Sequence, residues 1–368
     1  MARAAFHGWL AARPSAGLLA GRRRQIGTIA STAVHDPVSR TVSGCSVREP
    51  AWLSSPESGE TFYHLPVMPD EVLQALTAGP DRVIIDGTLG GGGHSELLLE
   101  TGARVIGIDR DPEALAHARQ RLARFGDRFE TWEGNFADVA EMPFVRDGGK
   151  ADGLLLDLGV SSRQLDAAGR GFSFQREGPL DMRMGPASVL TAAVVVNTWP
   201  EADLAKIIRE LGEEPQARRI AAAIADRRKS RPFSTTTDLA DCIERAIGRR
   251  GRIHPATRAF QAIRMTVNDE LGSLSRVLTA APSVLKPGGR LAIITFHSLE
   301  DRKVKVHLRH HASQFIDDPG WPSPRPNPDW NFHLPSRKAI LPTTGETARN
   351  PRSRSAKLRV AQLLDPAS

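Results

Sequence analysis

Cysteine is nearly absent from this chain. Cys45 and Cys242 are the only two among 368 residues, too few for a disulfide framework or a cysteine-based metal site. Two reduced thiols are the expected state. No apolar run approaches the roughly 20 residues that a membrane span needs, so a spanning protein is excluded. Acidic residues are missing from the first 35 positions, where Arg3, Arg13 and Arg22–Arg24 stand among small and hydroxylated residues. Residues 1–60 therefore resemble an organellar presequence, with an unstructured extension as the alternative. His254, His297 and His307 have no metal-ligand spacing, and no metal is expected.

What is present is an ordinary globular composition, 40% hydrophobic and 25% charged, with a formal charge of +7 and a pI near 9.9. A basic balance favours a polyanionic partner, because each phosphate contact releases counterions. From about His64 the chain follows α/β grammar. Arg82–Asp86 reads as a buried strand that runs into the glycine loop Gly87–Gly93 and a short helix, Ser95–Glu100. Arg104–Asp109 is a second strand. Asp111 is placed to cap a helix that has Pro112 in its first turn. Phe129–Glu133 and Gly153–Leu158 are third and fourth strands. Alternating strands and helices imply a parallel sheet covered on both faces.

The rhythm breaks between residues 164 and 256. Helical patterns at Glu201–Leu211, Pro215–Arg228 and Thr237–Ile247 follow one another without a convincing strand and suggest a helical insertion. The α/β pattern returns with a long helix, Thr257–Ala280, a Pro-Gly-Gly turn at Pro287–Gly289 and a strand, Arg290–Phe296. Ser298 is expected to cap the next helix, with Asp301 at the reciprocal position. Asp317–Asp329 reads as an irregular loop, and Lys338–Leu341 and Lys357–Val360 as closing strands. The expected organisation is an extension, 1–60, a sheet domain built from 61–163 and 257–368, and the insertion, 164–256.

The glycine loop carries the first chemical signal. It ends a strand and opens a helix, where glycine lets the backbone approach a ligand. Asp109, about 20 residues on at the end of the next strand, can accept from both ribose hydroxyls of an adenosine ligand. The dinucleotide fingerprint G-x-G-x-x-G fails, because Ser95 stands where the last glycine would follow Gly90 and Gly92. No G-K-[ST] follows either, so this is not a P-loop. A glycine loop without a phosphate-binding lysine, opened by Asp86, suits S-adenosylmethionine, which carries an ammonium and a sulfonium.

A series of longer motifs goes further: HLPVMPDEVL at His64–Leu73, DGTLGGGGHS at Asp86–Ser95, IDRDP at Ile108–Pro112 and LLLDLGVSSRQLD at Leu154–Asp166. RGFSF at Arg170–Phe174, GPLDMRM at Gly178–Met184, GEE at Gly212–Glu214 and the run His254–Leu271 continue it. Leu285–Lys305 and NPRSRSAKLR at Asn350–Arg359 complete it. In this order they resemble the RsmH (MraW) family. The resemblance implies a class I S-adenosylmethionine-dependent methyltransferase sheet, Rossmann-like, interrupted by a helical insertion subdomain. It implies methylation of the exocyclic N4 of a cytidine in the decoding region of small-subunit ribosomal RNA. Bacterial members are cytoplasmic and eukaryotic relatives act in mitochondria. By the same resemblance Gly90, Gly92, Gly93 and His94 line the methionine end of the cofactor, Asp109 holds the ribose, and Phe136 lies near the adenine. Asp157 and Gln164 border cofactor and target base.

Cytosine N4 is a poor nucleophile because its lone pair is delocalised into the ring. An acceptor pulling on an N4–H localises that pair. Asp157, or a backbone carbonyl just after it, is the first candidate acceptor, and His297 and Ser298 are the second; a cofactor-orienting role is the alternative for Asp157. Phe172 and Phe174 offer a stacking face for a flipped base, with local packing as the alternative, and Trp199 belongs to the insertion core. Arg258, Gln261, Arg264 and Asn268 share the helix after the insertion and are candidate RNA contacts. Basic residues at Arg218, Arg219, Arg227, Arg228, Lys229, Arg231, Arg245, Arg249, Arg250 and Arg252 extend that surface; a solvated helix face is the competing reading. Contacts of this kind position RNA without choosing the base. The expected partner is small-subunit ribosomal RNA or the assembled small subunit. Competing functions are a non-catalytic RNA-binding ribosome-assembly factor and a methyltransferase acting on another RNA or on DNA.

Overall fold

The computed structural model describes residues 65–160, 167–186, 188–249, 251 and 253–365, without the side chain of residue 168. The expectations for residues 1–60, Cys45, Gln164, Arg250 and Arg252 lie outside the described residues.

The expected α/β class is found. One seven-stranded sheet holds β1 (Val83–Asp86), β2 (Arg104–Asp109), β3 (Phe129–Glu133), β4 (Ala151–Asp157), β5 (Leu285–Thr295), β8 (Phe332–His333) and β9 (Lys357–Leu363). Their order is β3-β2-β1-β4-β5-β9-β8. β1 to β5 are parallel, and β9 runs antiparallel to both of its neighbours. The short strands β6 (Phe315–Ile316), just before the segment read as irregular, and β7 (Arg325–Pro326), within it, pair antiparallel in a separate two-stranded sheet. Lys338–Leu341 contributes only an isolated bridge, Ile340 to Leu358.

The hydrophobic runs of the central strands alternate between two cores. Ile85, Leu154, Leu156 and Ile293 face one; Ile84, Leu155, Ala292 and Ile294 face the other. This is the period-2 geometry of strands buried on both faces. Helices α1 (Pro69–Leu76), α2 (Gly93–Glu100), α3 (Pro112–Leu122) and α4 (Pro143–Arg146) lie within the first half of the sheet domain. Asp111 caps α3 by accepting from the Glu113 N–H, and Pro112 occupies the first turn, as its sequence predicts. The strand order reverses between β1 and β4, which makes their carboxyl ends a topological switch point. Such a switch point is where ligands bind in α/β sheets.

The insertion builds its own core. Helices α5 (Ala192–Thr198), α6 (Glu201–Glu210), α7 (Ala217–Ser230), α8 (Thr236–Ile247) and α9 (Thr257–Val267) bury Leu204, Ile220, Ile243, Phe260 and Ile263 together. Two expectations change here. The long helix expected over Thr257–Ala280 is two helices, α9 and α10 (Glu270–Val284), and α9 packs into the insertion core. The break falls at Asp269, which takes a left-handed φ of 48°, just after Asn268 turns its side-chain amide back onto the Arg264 carbonyl. The Pro-Gly-Gly turn also differs. It lies inside β5 as a bulge, where the register against β4 jumps from Leu285 opposite Ala151 to Arg290 opposite Gly153.

Two more helices follow, α11 (Ser298–His311) and α12 (Thr344–Arg349). The cap of α11 is one residue earlier than expected. The His297 side chain accepts from the Glu300 N–H, and Glu300 reaches back to the cap backbone. Imidazole replaces the hydroxyl of a usual capping box, so Glu300 takes the reciprocal place assigned to Asp301.

Candidate active site

Three adjacent strands end in a carboxylate: β1 in Asp86, β2 in Asp109 and β4 in Asp157. Their surroundings differ, and so does what each can do.

Asp86 is 1% exposed. It accepts from the Ser95 hydroxyl at 2.7 Å and from the Thr88 N–H at 3.2 Å. Burial pushes its carboxyl above the ordinary range, with His94 pulling the other way. Its bonds are all internal, so its role is to shape the glycine loop. Thr88 serves the same end from the other side, accepting from the Asp157 N–H at 2.6 Å. The sequence reading missed Thr88; its signal was its place two residues after an aspartate, an Asx-turn offset.

Asp109 draws the loop towards β2. Its two oxygens accept from the N–H groups of Gly90 and Asp111, both at 2.9 Å. Burial lifts its pKa to about 6, against the pull of those bonds. Gly92 has a φ of 78°, and a Cβ there would stand 3.0 Å from Leu122 Cδ1. The loop therefore needs glycine for conformation as well as for room. Phe136 is half-buried beside it, its Cβ 3.2 Å from where a Cβ on Gly87 would stand.

His94 and Asp157 meet at the start of α2. The His94 Nε2 lies 2.9 Å from the Val67 carbonyl. A carbonyl only accepts, so Nε2 carries the hydrogen. The other ring nitrogen, Nδ1, lies 3.6 Å from Asp157 Oδ2. Asp157 Oδ1 is shielded from water, and among the described residues no donor reaches it. Burial pushes this carboxyl to about 6; His94 lowers it, while Asp86 and Glu300 raise it further. An unsatisfied buried acceptor is costly, and this one stands at the carboxyl end of a central strand, β4.

A second polar group lies at the end of β5. His297 Nε2 is 3.0 Å from Glu300 Oε1, and the other Glu300 oxygen accepts from the Phe296 N–H at 3.0 Å. The fold brings Glu270 close to both, so the three offer ligand atoms within 4.8 Å of one another, an arrangement that sequence spacing did not reveal. Both Glu270 oxygens, however, already accept from Arg264, each at 2.8 Å. A guanidinium therefore holds the charge that a cation would need.

The candidate RNA contacts divide. Arg258 is half-exposed and reaches only loosely to Glu214, at 3.5 Å. Gln261 is half-buried and donates to the Leu211 carbonyl at 3.4 Å. Arg264 is half-buried and paired with Glu270. Asn268 is 4% exposed, accepts from the Met184 N–H and donates to the Met182 carbonyl, both at 2.8 Å. Arg264 and Asn268 thus hold the protein together instead of facing a ligand. Among the basic residues of the insertion, Arg227 is paired with Asp238 and Arg228 with the Val196 carbonyl. Arg218, Arg219 and Arg245 are exposed, and the exposed Lys229, Arg231 and Arg249 pair with Asp226, Asp238 and Glu244. Phe172 and Phe174 pack locally: Phe172 is buried in the insertion core, and Phe174 lies 4.8 Å from Phe260, ring centre to ring centre. Trp199 packs against the same core.

The insertion is tied to the site by bonds that no local pattern announces. Arg170 donates to Asp111 at 2.9 Å, two residues beyond Asp109. Ser298, expected as a cap, instead donates to Glu213 of the insertion, which also accepts from Arg302.

The chain is similar to known proteins over most of its length. The chain is 47% identical over 308 residues to ribosomal RNA small subunit methyltransferase H of Heliobacterium mobile, covering 82% of this chain and 99% of the relative. The protein of the same name from Syntrophotalea carbinolica is 49% identical over 311 residues, covering 83% and 99%. That of Brucella suis is 49% identical over 315 residues, covering 83% and 89%. Residues 61–364, which hold the glycine loop, the three strand-end carboxylates and the whole insertion, match the MraW methylases, and the chain belongs to the MraW methylase family.

Proposed function

We propose that this protein methylates the exocyclic N4 of a cytidine in the decoding region of small-subunit ribosomal RNA, using S-adenosylmethionine. The observation that carries the reading is Asp157: a buried carboxylate oxygen that no donor reaches among the described residues, at the switch point of the sheet, next to a glycine loop anchored on Asp109. The loop suits the cofactor's adenosine and methionine ends. Gly90, Gly92, Gly93 and His94 line one side of it, Asp109 offers acceptors to the ribose, and Phe136 offers an apolar wall. Gln164 is assigned to the same border by its motif position.

When bound, S-adenosylmethionine supplies a methyl group made electrophilic by its sulfonium. The protein's task is then to bring N4 into line with that methyl group, which is largely a matter of proximity and orientation. Asp157 Oδ1 accepts one N4–H, localises the lone pair on nitrogen and takes the proton as the new bond forms. The insertion forms the recognition side, with Arg258 and the exposed Arg218, Arg219, Arg231 and Arg245 directed at phosphates and Gln261 beside them. The substrate is the ribosomal RNA or the assembled subunit. Its place of action is the bacterial cytoplasm, or the mitochondrial matrix if residues 1–60 act as a presequence; the amino terminus of the mature protein separates the two. Among the described residues, no helix is long and apolar enough to cross a membrane.

The test is methyl transfer from radiolabelled S-adenosylmethionine to small subunits that lack the modification, beside Asp109→Ala. Label in the RNA, recovered as N4-methylcytidine and lost in the variant, is the expected result. Cofactor binding without label points to a different RNA or DNA substrate. Loss of both sinks the enzyme reading in favour of an assembly factor.

A further inference from the structure

The RNA contacts and the cofactor loop leave one arrangement unexplained. His94 is nearly buried, yet its ring is not simply packed. Its Nε2–H is committed to the Val67 carbonyl at 2.9 Å, which fixes the ring orientation and leaves Nδ1 facing Asp157 Oδ2 at 3.6 Å. If His94 were neutral and Asp157 ionised, a nitrogen lone pair would face a carboxylate oxygen in a site with little water. That contact is repulsive. One proton held between the two groups turns it into an attraction, strengthened by the low local dielectric.

The geometry points to His94 and Asp157 as a proton-sharing pair, in which His94 is a positioning residue that keeps Asp157 ionised and its Oδ1 free to accept the amine proton. This rests on the reading of Asp157 as the acceptor. The groups that face the pair come from four elements. Asp86 at the end of β1 and Glu300 near the start of α11 are acidic and raise the Asp157 carboxyl, and burial does so most. The Val67 carbonyl, before α1, faces the other edge of the ring. Thr88 in the glycine loop accepts from the Asp157 N–H and so fixes its backbone. Among these groups His94 alone offers positive charge, and without it the carboxyl would hold its proton more tightly and cease to be a base at neutral pH.

The balance of the step is simple. The pair starts with one proton, on His94 Nδ1, and Asp157 ionised. The N4 lone pair forms the bond to the methyl carbon, and the electrons of the broken carbon–sulfur bond stay on sulfur. The N4 proton passes to Asp157 Oδ1. The pair then holds two protons and releases one to water, so the positive charge that entered on sulfonium leaves as that proton.

Two measurements test this. The first needs no cofactor: the two imidazole nitrogens of His94 are observed by nitrogen-15 NMR at one neutral pH in the full chain and in Asp157→Asn, with the signals assigned by their loss in His94→Gln. Nδ1 should carry a hydrogen beside the carboxylate and give it up in Asp157→Asn, where the amide donates instead; the same Nδ1 state in both chains overturns the pair. The second is single-turnover transfer to small subunits at saturating cofactor as a function of pH. In His94→Gln the acidic limb should move to higher pH by about one unit. Weaker cofactor binding with an unmoved limb would make His94 a cofactor ligand only and overturn the proposal. If the wild-type chain transfers no methyl group to the subunits, the proposed function fails, whereas the NMR comparison still decides whether the pair exists.

Discussion

Replacing Asp157 by asparagine should abolish methyl transfer and yet make the protein more stable. Burial raises this carboxyl from 3.8 to about 6, so at neutral pH the folded chain holds an anion in a place that disfavours it. The gap is about two pH units, worth roughly 3 kcal/mol at ~1.4 kcal/mol each. With 24% of the side chain exposed, water screens part of this, and a gain of about 1–3 kcal/mol is expected. Asparagine has nearly the same shape, and its amide can donate to His94 Nδ1. The sign follows from the two proton equilibria. Above about pH 6 the carboxyl is ionised in both folded and unfolded chains, and the folded wild type alone bears the burial cost. Between about pH 6 and 4 the folded wild type takes up a proton that the unfolded chain does not, so it recovers stability and the advantage of asparagine shrinks. Below that range both states are protonated and the advantage vanishes. Urea unfolding of the two proteins at about pH 8 and about pH 4 measures the difference. A variant less stable than wild type at the higher pH, or an advantage that persists unchanged at the lower, would refute the account of Asp157 as a strained base. Stability surrendered at an active site is a common trade.

Other perturbations separate binding from packing. Asn268→Ala removes two bonds to the 182–184 segment and one to the Arg264 carbonyl, and should cost about 2–4 kcal/mol with RNA affinity of the folded protein unchanged. A drop in RNA affinity at wild-type stability would restore Asn268 as an RNA contact. Asp109→Asn should weaken cofactor binding about 10- to 100-fold by calorimetry, the loss of one charge-assisted pair of bonds. In the wild type, affinity should fall as pH drops through about 6, where Asp109 takes up a proton; a flat profile would show that the carboxylate does not hold the ribose. Gly171→Ala places a Cβ 1.9 Å from the Pro179 carbonyl at a φ of 70°, and should lower stability by about 2 kcal/mol or more. An unchanged urea midpoint would mean that the 170–184 loop is not held as described.

The parts of this molecule that were legible in its sequence share a physical trait: the signal and the structure it dictates lie within a few residues. A buried strand, a glycine turn and an aspartate at the next strand end form one local pattern, and Asp86, Asp109 and Asp157 stand where that pattern puts them. The same holds for Asp111 and Pro112 at the start of α3. Where a distant partner decides, the local pattern misleads. Apolar periodicity runs through Thr257–Ala280 without interruption, yet the helix breaks at Asp269 because Asn268 serves the Met182–Met184 segment from the insertion. Ser298 is a good capping residue by type, but its hydroxyl goes to Glu213 and the cap passes to His297. Arg264 has the look of a phosphate contact until Glu270, six residues on, closes over it in the fold.

These distant bonds are also what join the two halves of the site. Asp111–Arg170 lies beside the aspartate assigned to the ribose. Met184–Asn268 and Arg110–Asn268 meet at the break between α9 and α10, and Ser298–Glu213 lies beside His297. Met184–Asn268 joins the insertion to its exit, and each of the others links a residue next to the sheet's carboxyl ends with one from the insertion or its exit. Exposed polar pairs add little stability singly, so the tie at Glu213 matters chiefly for position. Arg170–Asp111 and the Asn268 bonds are better shielded and fix the insertion more firmly on the Asp111 side. Uneven anchoring leaves the Glu213 side the weaker one.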